Sequence, residues 1–220
     1  MSRKTILLIL AAILVTGGIV GFVLSRHSGD AVAATPVTGN GYDITANDRV
    51  LGNPRAKAVL IEYAAPACPH CARFNATVFP VIKKNYIDTG KIYYVFRVYP
   101  INPADGPAEK LARCLPVDKY FGFIDQVFRN QPKWDPEYGV LDPRTGLAAL
   151  AKASGLSDAK IDSCLADTKA DDRINLVAAE GQSRYNIAGT PSFILNGVNQ
   201  GSIDFADLPK LVDVALAGTR

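Results

Sequence analysis

The apolar residues of this chain follow two different periods. Residues 59–63 form an apolar run interrupted only by Glu62, and residues 91–99 form a second run rich in aromatic and β-branched side chains. Such runs are typical of strands buried on both faces. Between them, apolar residues recur at helical spacing over 68–86, where Pro80 is expected to kink the helix. The order strand, helix, strand predicts a right-handed βαβ unit.

The period becomes helical after the second strand and stays so over residues 102–185. Five apolar stripes, separated by Gly and Pro, predict an inserted helical domain there. The flanking segments, 48–101 and 186–220, then form one α/β domain. In the second of them, Asn196-Gly197 predicts the turn of a β-hairpin that is followed by a final helix. At the start of the domain, residues 48–54 are predicted to form a turn.

The N-terminal segment, 1–25, is predicted to be a membrane anchor or a signal segment. Arg3 and Lys4 precede residues 6–24, which carry no charge. That stretch is long enough to cross a bilayer, whereas the apolar core of a cleavable signal peptide has about 7–15 residues. Ala31-Val32-Ala33 nevertheless fits a cleavage site, so both alternatives stay open. Either one exports the rest of the chain, because positive charges stay in the cytoplasm.

Residues 26–47 are predicted to be a flexible tether, since they are rich in Gly, Ala, Thr and Asn and show no sustained apolar period. The charge is nearly balanced, with 24 basic and 21 acidic residues, and no basic patch is present. We therefore expect no nucleic-acid partner.

The sequence Cys68-Pro69-His70-Cys71 carries the candidate chemistry. It joins the first buried strand to the start of the first helix. Unpaired N–H groups and the helix dipole at that position favour a thiolate at Cys68, so its pKa should fall. A structural zinc site would need four Cys or His ligands, and haem attachment would need a histidine after Cys71. Thiol–disulfide exchange is the function that this motif favours.

Two further cysteines, Cys114 and Cys164, fall on apolar faces of predicted helices in the insertion. Disulfides persist outside the cytoplasm, so we expect the two to form a structural disulfide. The alternative is that they are two unpaired buried cysteines that act as small apolar residues.

Glu62 and the segment Gly189-Thr190-Pro191 complete a pattern with the CPHC motif and the helical insertion. Together these features resemble the DsbA-like branch of the thioredoxin superfamily, over about residue 48 to the C-terminus. The resemblance implies a thioredoxin fold with an inserted helical domain. It also implies that Pro191 is a cis-proline beside the active-site disulfide.

The resemblance assigns roles to individual residues. Cys68 would be the exposed attacking cysteine and Cys71 the buried resolving one. Thr190 would offer backbone hydrogen bonds to an extended substrate. Glu62 would exchange a proton with Cys71, unless its strand is an edge strand and the carboxylate faces solvent. His70, which with Pro69 separates the cysteines, would lower the pKa of Cys68 further.

The function implied is an exported, periplasmic oxidase, held at the inner membrane by residues 6–24, that gives its disulfide to reduced substrate proteins. A quinone-linked membrane protein would reoxidise it, and neither a cofactor nor a metal is expected. We expect a monomer, because the tether is too short for a folded oligomerisation module. The alternatives are a disulfide isomerase or reductase that uses the same site, which Thr190 leaves open, and a copper-handling thiol protein. Met1 is the single methionine, which weighs against copper.

Overall fold

A five-stranded mixed sheet forms the centre of the computed structural model, which describes residues 44–218. The strands are β1 (Arg49–Gly52), β2 (Ala58–Ala64), β3 (Ile92–Val98), β4 (Ser192–Leu195) and β5 (Val198–Asn199). Their spatial order is β1-β3-β2-β4-β5, and β2 and β3 run parallel while the other neighbours are antiparallel. All seven residues of the central strand β2 are buried, as its apolar run predicts.

Eight α-helices are present in the described part of the chain. They are α1 (Pro69–Thr77), α2 (Phe79–Ile82), α3 (Asp105–Cys114), α4 (Tyr120–Arg129), α5 (Pro143–Ala153), α6 (Asp158–Leu165), α7 (Thr168–Tyr185) and α8 (Leu208–Gly218). Helices α3 to α7 lie between β3 and β4 in the chain, within the segment whose stripes predict an insertion. The result is a thioredoxin-like α/β fold with a helical insertion.

A disulfide joins the last residue of α3, Cys114, to Cys164 in α6, with 6.3 Å between their Cα atoms. The two residues are 50 positions apart in the chain. Closing a loop of that length stabilises the fold by about 4 kcal/mol on the chain-entropy account. The crosslink therefore holds together two helices of the insertion.

The two faces of the sheet are covered by separate apolar clusters. On one face, Leu60 and Ala64 of β2 pack with Phe74 of α1 and with the insertion. On the other face, Ile61 and Tyr63 pack with residues that include Tyr185 of α7. Because successive side chains of a strand alternate between faces, Glu62 lies on the same face as Leu60 and α1.

Two local predictions differ from the structure. Residues 49–52 of the predicted turn form β1, an edge strand antiparallel to β3. The predicted helix over 68–86 is broken at Val78, since α1 ends at Thr77 and α2 begins at Phe79, with Pro80 in its first turn. Proline is tolerated in a first turn because no intrahelical N–H is required there.

The beginning of the folded domain also differs from the predicted boundary. Ile44 falls within the predicted tether, 26–47, yet its side chain is buried in the second apolar cluster. The predicted anchor or signal segment, 1–25, and the first part of the tether lie outside the described residues. From residue 44 to residue 218, no helix is both long enough and apolar enough to span a bilayer.

Candidate active site

Cys68 is the N-cap residue of α1, with an extended backbone (φ −74°, ψ 119°). The helix begins at Pro69, whose fixed φ suits a first turn. The Cys68 Sγ accepts a hydrogen bond from the backbone N–H of Cys71 at 3.3 Å. The cap of the helix is thus the sulfur atom itself. Both cysteines are free thiols, and Cys68, which was expected to be exposed, is buried like Cys71, because the loop before β4 covers its sulfur.

The two thiols of the motif have opposite acidities. A hydrogen bond from the Cys71 thiol, together with the backbone N–H groups of Cys71 and His70, lowers the pKa of Cys68 from 9.0 to about 6, although burial opposes the shift. Burial raises the pKa of Cys71 well above its usual value, and the Cys68 sulfur adds to that shift. At neutral pH, Cys68 is therefore a thiolate and Cys71 a thiol.

The loop before β4 lies against the Cys68 sulfur. The Thr190–Pro191 peptide bond is cis. In its protonated form, the Cys68 thiol donates to the Thr190 carbonyl oxygen at 3.3 Å. A cavity of about 620 Å³ opens beside this contact and is lined by residues that include His70, Thr190, Pro191 and Phe205. The structure thus brings together Cys68, His70, Thr190 and Pro191, which are far apart in the sequence.

Glu62 lies in the central strand β2 and is 2% exposed, so it does not face solvent at a sheet edge. Burial raises its pKa from 4.5 to about 8, while a hydrogen bond from Tyr94 lowers it and the charge of Cys68 raises it further. The Tyr94 hydroxyl donates to Glu62 Oε2 at 2.5 Å. At neutral pH, the Glu62 carboxyl therefore holds a proton close to the two thiols.

Two buried side chains of the insertion hold the segment that precedes the nucleophile. Asp105, at the start of α3, accepts the backbone N–H of Ala67 at 2.6 Å. Its other oxygen accepts the N–H groups of Ile101 and Asn102, each at 2.9 Å. Gln131 donates from Nε2 to the carbonyl oxygens of Pro66 at 2.8 Å and Cys68 at 3.0 Å.

Sequence analysis does not identify Tyr94, Asp105 or Gln131 as parts of the site. Tyr94 falls in an aromatic strand whose other residues are ordinary core positions, so its hydroxyl gives no separate signal. Asp105 follows a Pro-Ala pair before an apolar stripe, a pattern typical of a helix start. Gln131 has no local signal at all, because its partners lie more than 60 positions away in the chain.

Cys114 and Cys164 are bonded to each other and do not join the CPHC motif. Within residues 44–218, no group of three or more His, Cys, Asp or Glu side chains could hold a metal ion. The site itself brings together two thiols, one buried carboxyl and the backbone groups around them.

The thioredoxin family model matches residues 45–214 of the chain. A protein of Rickettsia typhi, provisionally named a protein-disulfide oxidoreductase, is 35% identical over 182 residues, which cover 80% of this chain and 64% of that protein. A Rickettsia bellii protein with the same provisional name is 33% identical and is covered over 68% of its length. The chain thus spans about two thirds of the length of these relatives.

Solved structures show the same similarity. The crystal structure of Wolbachia pipientis alpha-DsbA1 superposes with a TM-score of 0.72 at 31% identity, and the match covers 79% of this chain and 93% of that one. The oxidised form of BdbD from Bacillus subtilis superposes with a TM-score of 0.68 at 23% identity over 78% of this chain and 94% of that one. The second likeness supports the fold.

Proposed function

We propose, for a chain that belongs to the thioredoxin family and within it to the DsbA-like thiol–disulfide oxidoreductases, that its function is to oxidise the thiols of other proteins. The disulfide between Cys68 and Cys71 is the oxidant. The observation that carries this proposal is the opposite acidity of the two thiols. Stabilising the Cys68 thiolate stabilises the reduced form, which makes the disulfide a stronger oxidant.

The reaction proceeds through two thiol–disulfide exchanges. A substrate thiolate attacks Cys68 Sγ, the bond between Cys68 and Cys71 breaks, and Cys71 leaves as a thiolate. Glu62 supplies the proton that Cys71 takes up, since its pKa of about 8 keeps it protonated at neutral pH. A second substrate thiolate then attacks the substrate sulfur bonded to Cys68, and Cys68 leaves as a stabilised thiolate.

The cavity beside Cys68 is proposed to bind the substrate as an extended chain. Thr190 and Pro191 line it next to the sulfur, so the backbone of Thr190 can pair with the substrate backbone. His70 lies exposed at the same cavity and contributes its backbone N–H to the thiolate. These positions suit recognition of backbone rather than of one particular side chain.

We further propose that the domain acts outside the cytoplasm, in the periplasm, with residues 6–24 as an inner-membrane anchor or signal segment. The uncharged length of that segment supports export. A quinone-linked membrane protein would then reoxidise the pair, and the enzyme would work as a monomer. The disulfide between Cys114 and Cys164 agrees with an oxidising compartment.

A disulfide isomerase or reductase with the same site is the second candidate. Thr190, before the cis-proline, leaves this candidate open, because enterobacterial-type oxidases tend to carry valine at that position and isomerases threonine. An isomerase holds its cysteines reduced and acts on proteins whose disulfides are mispaired. The native mass distinguishes the two, since a stable oligomer favours the isomerase.

The equilibrium reduction potential of the Cys68–Cys71 pair against glutathione tests the proposal. We expect a potential of about −120 mV, which is characteristic of DsbA. We also expect the protein to oxidise a reduced, unfolded ribonuclease stoichiometrically. Cys71→Ser has no disulfide to donate, so it should leave the reduced ribonuclease unoxidised. It should form a lasting mixed disulfide at Cys68 only with a protein that already carries a disulfide, since no second thiol is then present to resolve it. A potential of about −270 mV, as in thioredoxin, would mean that the protein is a reductant and would overturn the proposal.

A further inference from the structure

Among residues 44–218, the hydroxyl of Tyr94 is the side-chain donor to Glu62. Both side chains are at most 2% exposed. A carboxylate buried without a donor would stay protonated over the whole working pH range and could not act as a base. The hydroxyl therefore lowers the pH at which Glu62 ionises.

We propose that Tyr94 is a positioning residue for the thiol–disulfide reaction, because its hydroxyl holds the Glu62 carboxyl in the orientation and ionic form that exchange a proton with Cys71. The inference rests on the proposed function and extends it to a residue outside the CPHC motif. Tyr94 acts through Glu62 and is not itself a reacting group.

The surroundings of Tyr94 hold its ring in place. Its ring centroid lies 5.1 Å from that of Phe79 and 6.1 Å from that of Phe121. These tilted aromatic contacts fix the ring independently of the hydroxyl. A Tyr94→Phe substitution therefore removes the hydrogen bond and retains the packing.

The charged and titratable groups around Glu62 come from two elements. Tyr94 faces it from β3, and the thiols of Cys68 and Cys71 face it from α1. On the other side, β4 places the uncharged Phe193 opposite Glu62 in the sheet register. Burial and the charge of the Cys68 thiolate disfavour a carboxylate at Glu62, so the Tyr94 hydroxyl is the group that favours it.

The step that needs the Glu62 carboxylate is the attack by Cys71. In a mixed disulfide between Cys68 and another thiol, the Cys71 thiol gives its proton to Glu62. The Cys71 thiolate attacks Cys68 Sγ, the bond from Cys68 to the other sulfur breaks, and that sulfur leaves as a thiolate. Electrons balance, because one disulfide is broken and one is formed. The rate of this step should rise with pH as Glu62 ionises.

Stopped-flow mixing of the reduced protein with 5,5′-dithiobis(2-nitrobenzoic acid) isolates this step. The first coloured thiolate is released when Cys68 attacks the reagent, and the second when Cys71 attacks the mixed disulfide. In Tyr94→Phe, we expect the pH midpoint of the second phase to rise by about one unit and its rate at pH 7 to fall roughly tenfold. The first phase should be unchanged.

Tyr93→Phe is the matched control. It makes the same substitution at the neighbouring position of β3, whose side chain packs on the opposite face of the sheet. We expect its second phase to overlay that of the wild type. Adding Tyr94→Phe to Glu62→Gln should cause no further change, since the carboxyl that Tyr94 positions is then absent.

Two outcomes would overturn the inference. If Tyr94→Phe leaves the midpoint in place, or lowers the second-phase rate equally at every pH, the hydroxyl has only a structural role. The carboxyl infrared band that Glu62→Gln abolishes gives a readout independent of activity, and in Tyr94→Phe it should persist to higher pH. If the wild type itself shows no second phase, the proposed function fails instead.

Discussion

Cys68 and Cys71 differ in acidity because the first turn of α1 gives them different surroundings. Cys68 caps the helix and receives hydrogen bonds, whereas Cys71 is one turn further in and fully buried. The helix N-terminus predicts the direction of the Cys68 shift from sequence alone. The high pKa of Cys71 could not be predicted in that way, since it depends on how closely the turn packs against the sheet.

Replacing Cys71 by alanine should raise the pKa of Cys68. The Cys71 thiol is the largest single contribution that lowers it, so its loss should shift the value upward from about 6 by about one unit. The rate of iodoacetamide alkylation at Cys68, followed by mass spectrometry from pH 4 to about pH 9, measures the midpoint.

Two further variants serve as controls for the Cys71 prediction. Cys71→Ser keeps a side-chain donor and should stay closer to the wild type. His70→Ala keeps the backbone N–H that donates to the Cys68 sulfur. Any rise in the alkylation midpoint of Cys68 in this variant therefore measures the effect of the imidazole side chain alone. An unchanged midpoint in Cys71→Ala would show that the backbone groups are sufficient to stabilise the thiolate.

At the scale of elements, the insertion and the sheet meet at the segment that leads into α1. Asp105 binds the N–H of Ala67, and Gln131 binds the carbonyl oxygens on either side of it. Asp105 belongs to α3, a helix that the apolar stripes predict, whereas Gln131 lies in a short 3-10 turn after α4. The contacts themselves join residues 38 or more positions apart, which no single-sequence pattern can pair.

Asp105→Asn should destabilise the protein by about 2 kcal/mol or more. The carboxylate accepts three N–H groups. In asparagine, an NH₂ group replaces one of the two oxygens, and this group cannot accept a hydrogen bond from the backbone N–H groups that face it. Urea unfolding of the oxidised protein at pH 8 measures the loss. At that pH the Asp105 carboxyl is ionised, since burial raises its pKa only to about 6.

Asp167→Asn provides the comparison for Asp105. Asp167 is an exposed N-cap residue of α7 that accepts the N–H groups of Lys169 and Ala170. Asparagine is also a good N-cap residue, so we expect a loss below about 0.5 kcal/mol. Equal losses in the two variants would mean that Asp105 is an ordinary cap and does not hold the active-site segment.

The two local features that the sequence predicted inexactly, β1 and the break in the first helical segment, have different causes. β1 is short and lies at the sheet edge, so only its pairing with β3 defines it as a strand. The break at Val78 depends on the position of Pro80. Proline is tolerated in the first turn of a helix, so one helix ends at Thr77 and a new helix begins at Phe79. In contrast, β2 and β3 are buried on both faces, and such burial forces an apolar run that is visible in the sequence.

At the scale of the whole molecule, the buried Glu62 carboxyl makes folding depend on pH. Its folded pKa is raised from 4.5 to about 8, so the unfolded chain releases this proton at lower pH than the folded chain does. Below about pH 4.5, Glu62 is protonated in both states and does not affect the free energy of unfolding. As the pH rises toward 8, the group destabilises the folded state increasingly. At pH 7 the cost is roughly 3 kcal/mol.

Glu62→Gln should therefore stabilise the reduced protein at neutral pH. The amide stays neutral at every pH and still offers Tyr94 an oxygen acceptor, so the cost of retaining the proton disappears. We expect the free energy of unfolding at pH 7 to rise by roughly 3 kcal/mol, and the gain to vanish near pH 4. Urea unfolding at several pH values, with dithiothreitol present, measures the difference between the variant and the wild type.

The dependence of that gain on pH separates its possible causes. A gain that is equal at pH 4 and pH 7 would reflect better packing of the amide, and the titration of Glu62 would then not contribute. A gain that grows with pH would mean that the buried Glu62 carboxyl destabilises the folded protein at neutral pH. Since the same variant cannot exchange a proton with Cys71, a gain in stability together with a slower attack by Cys71 would link this cost to the reaction.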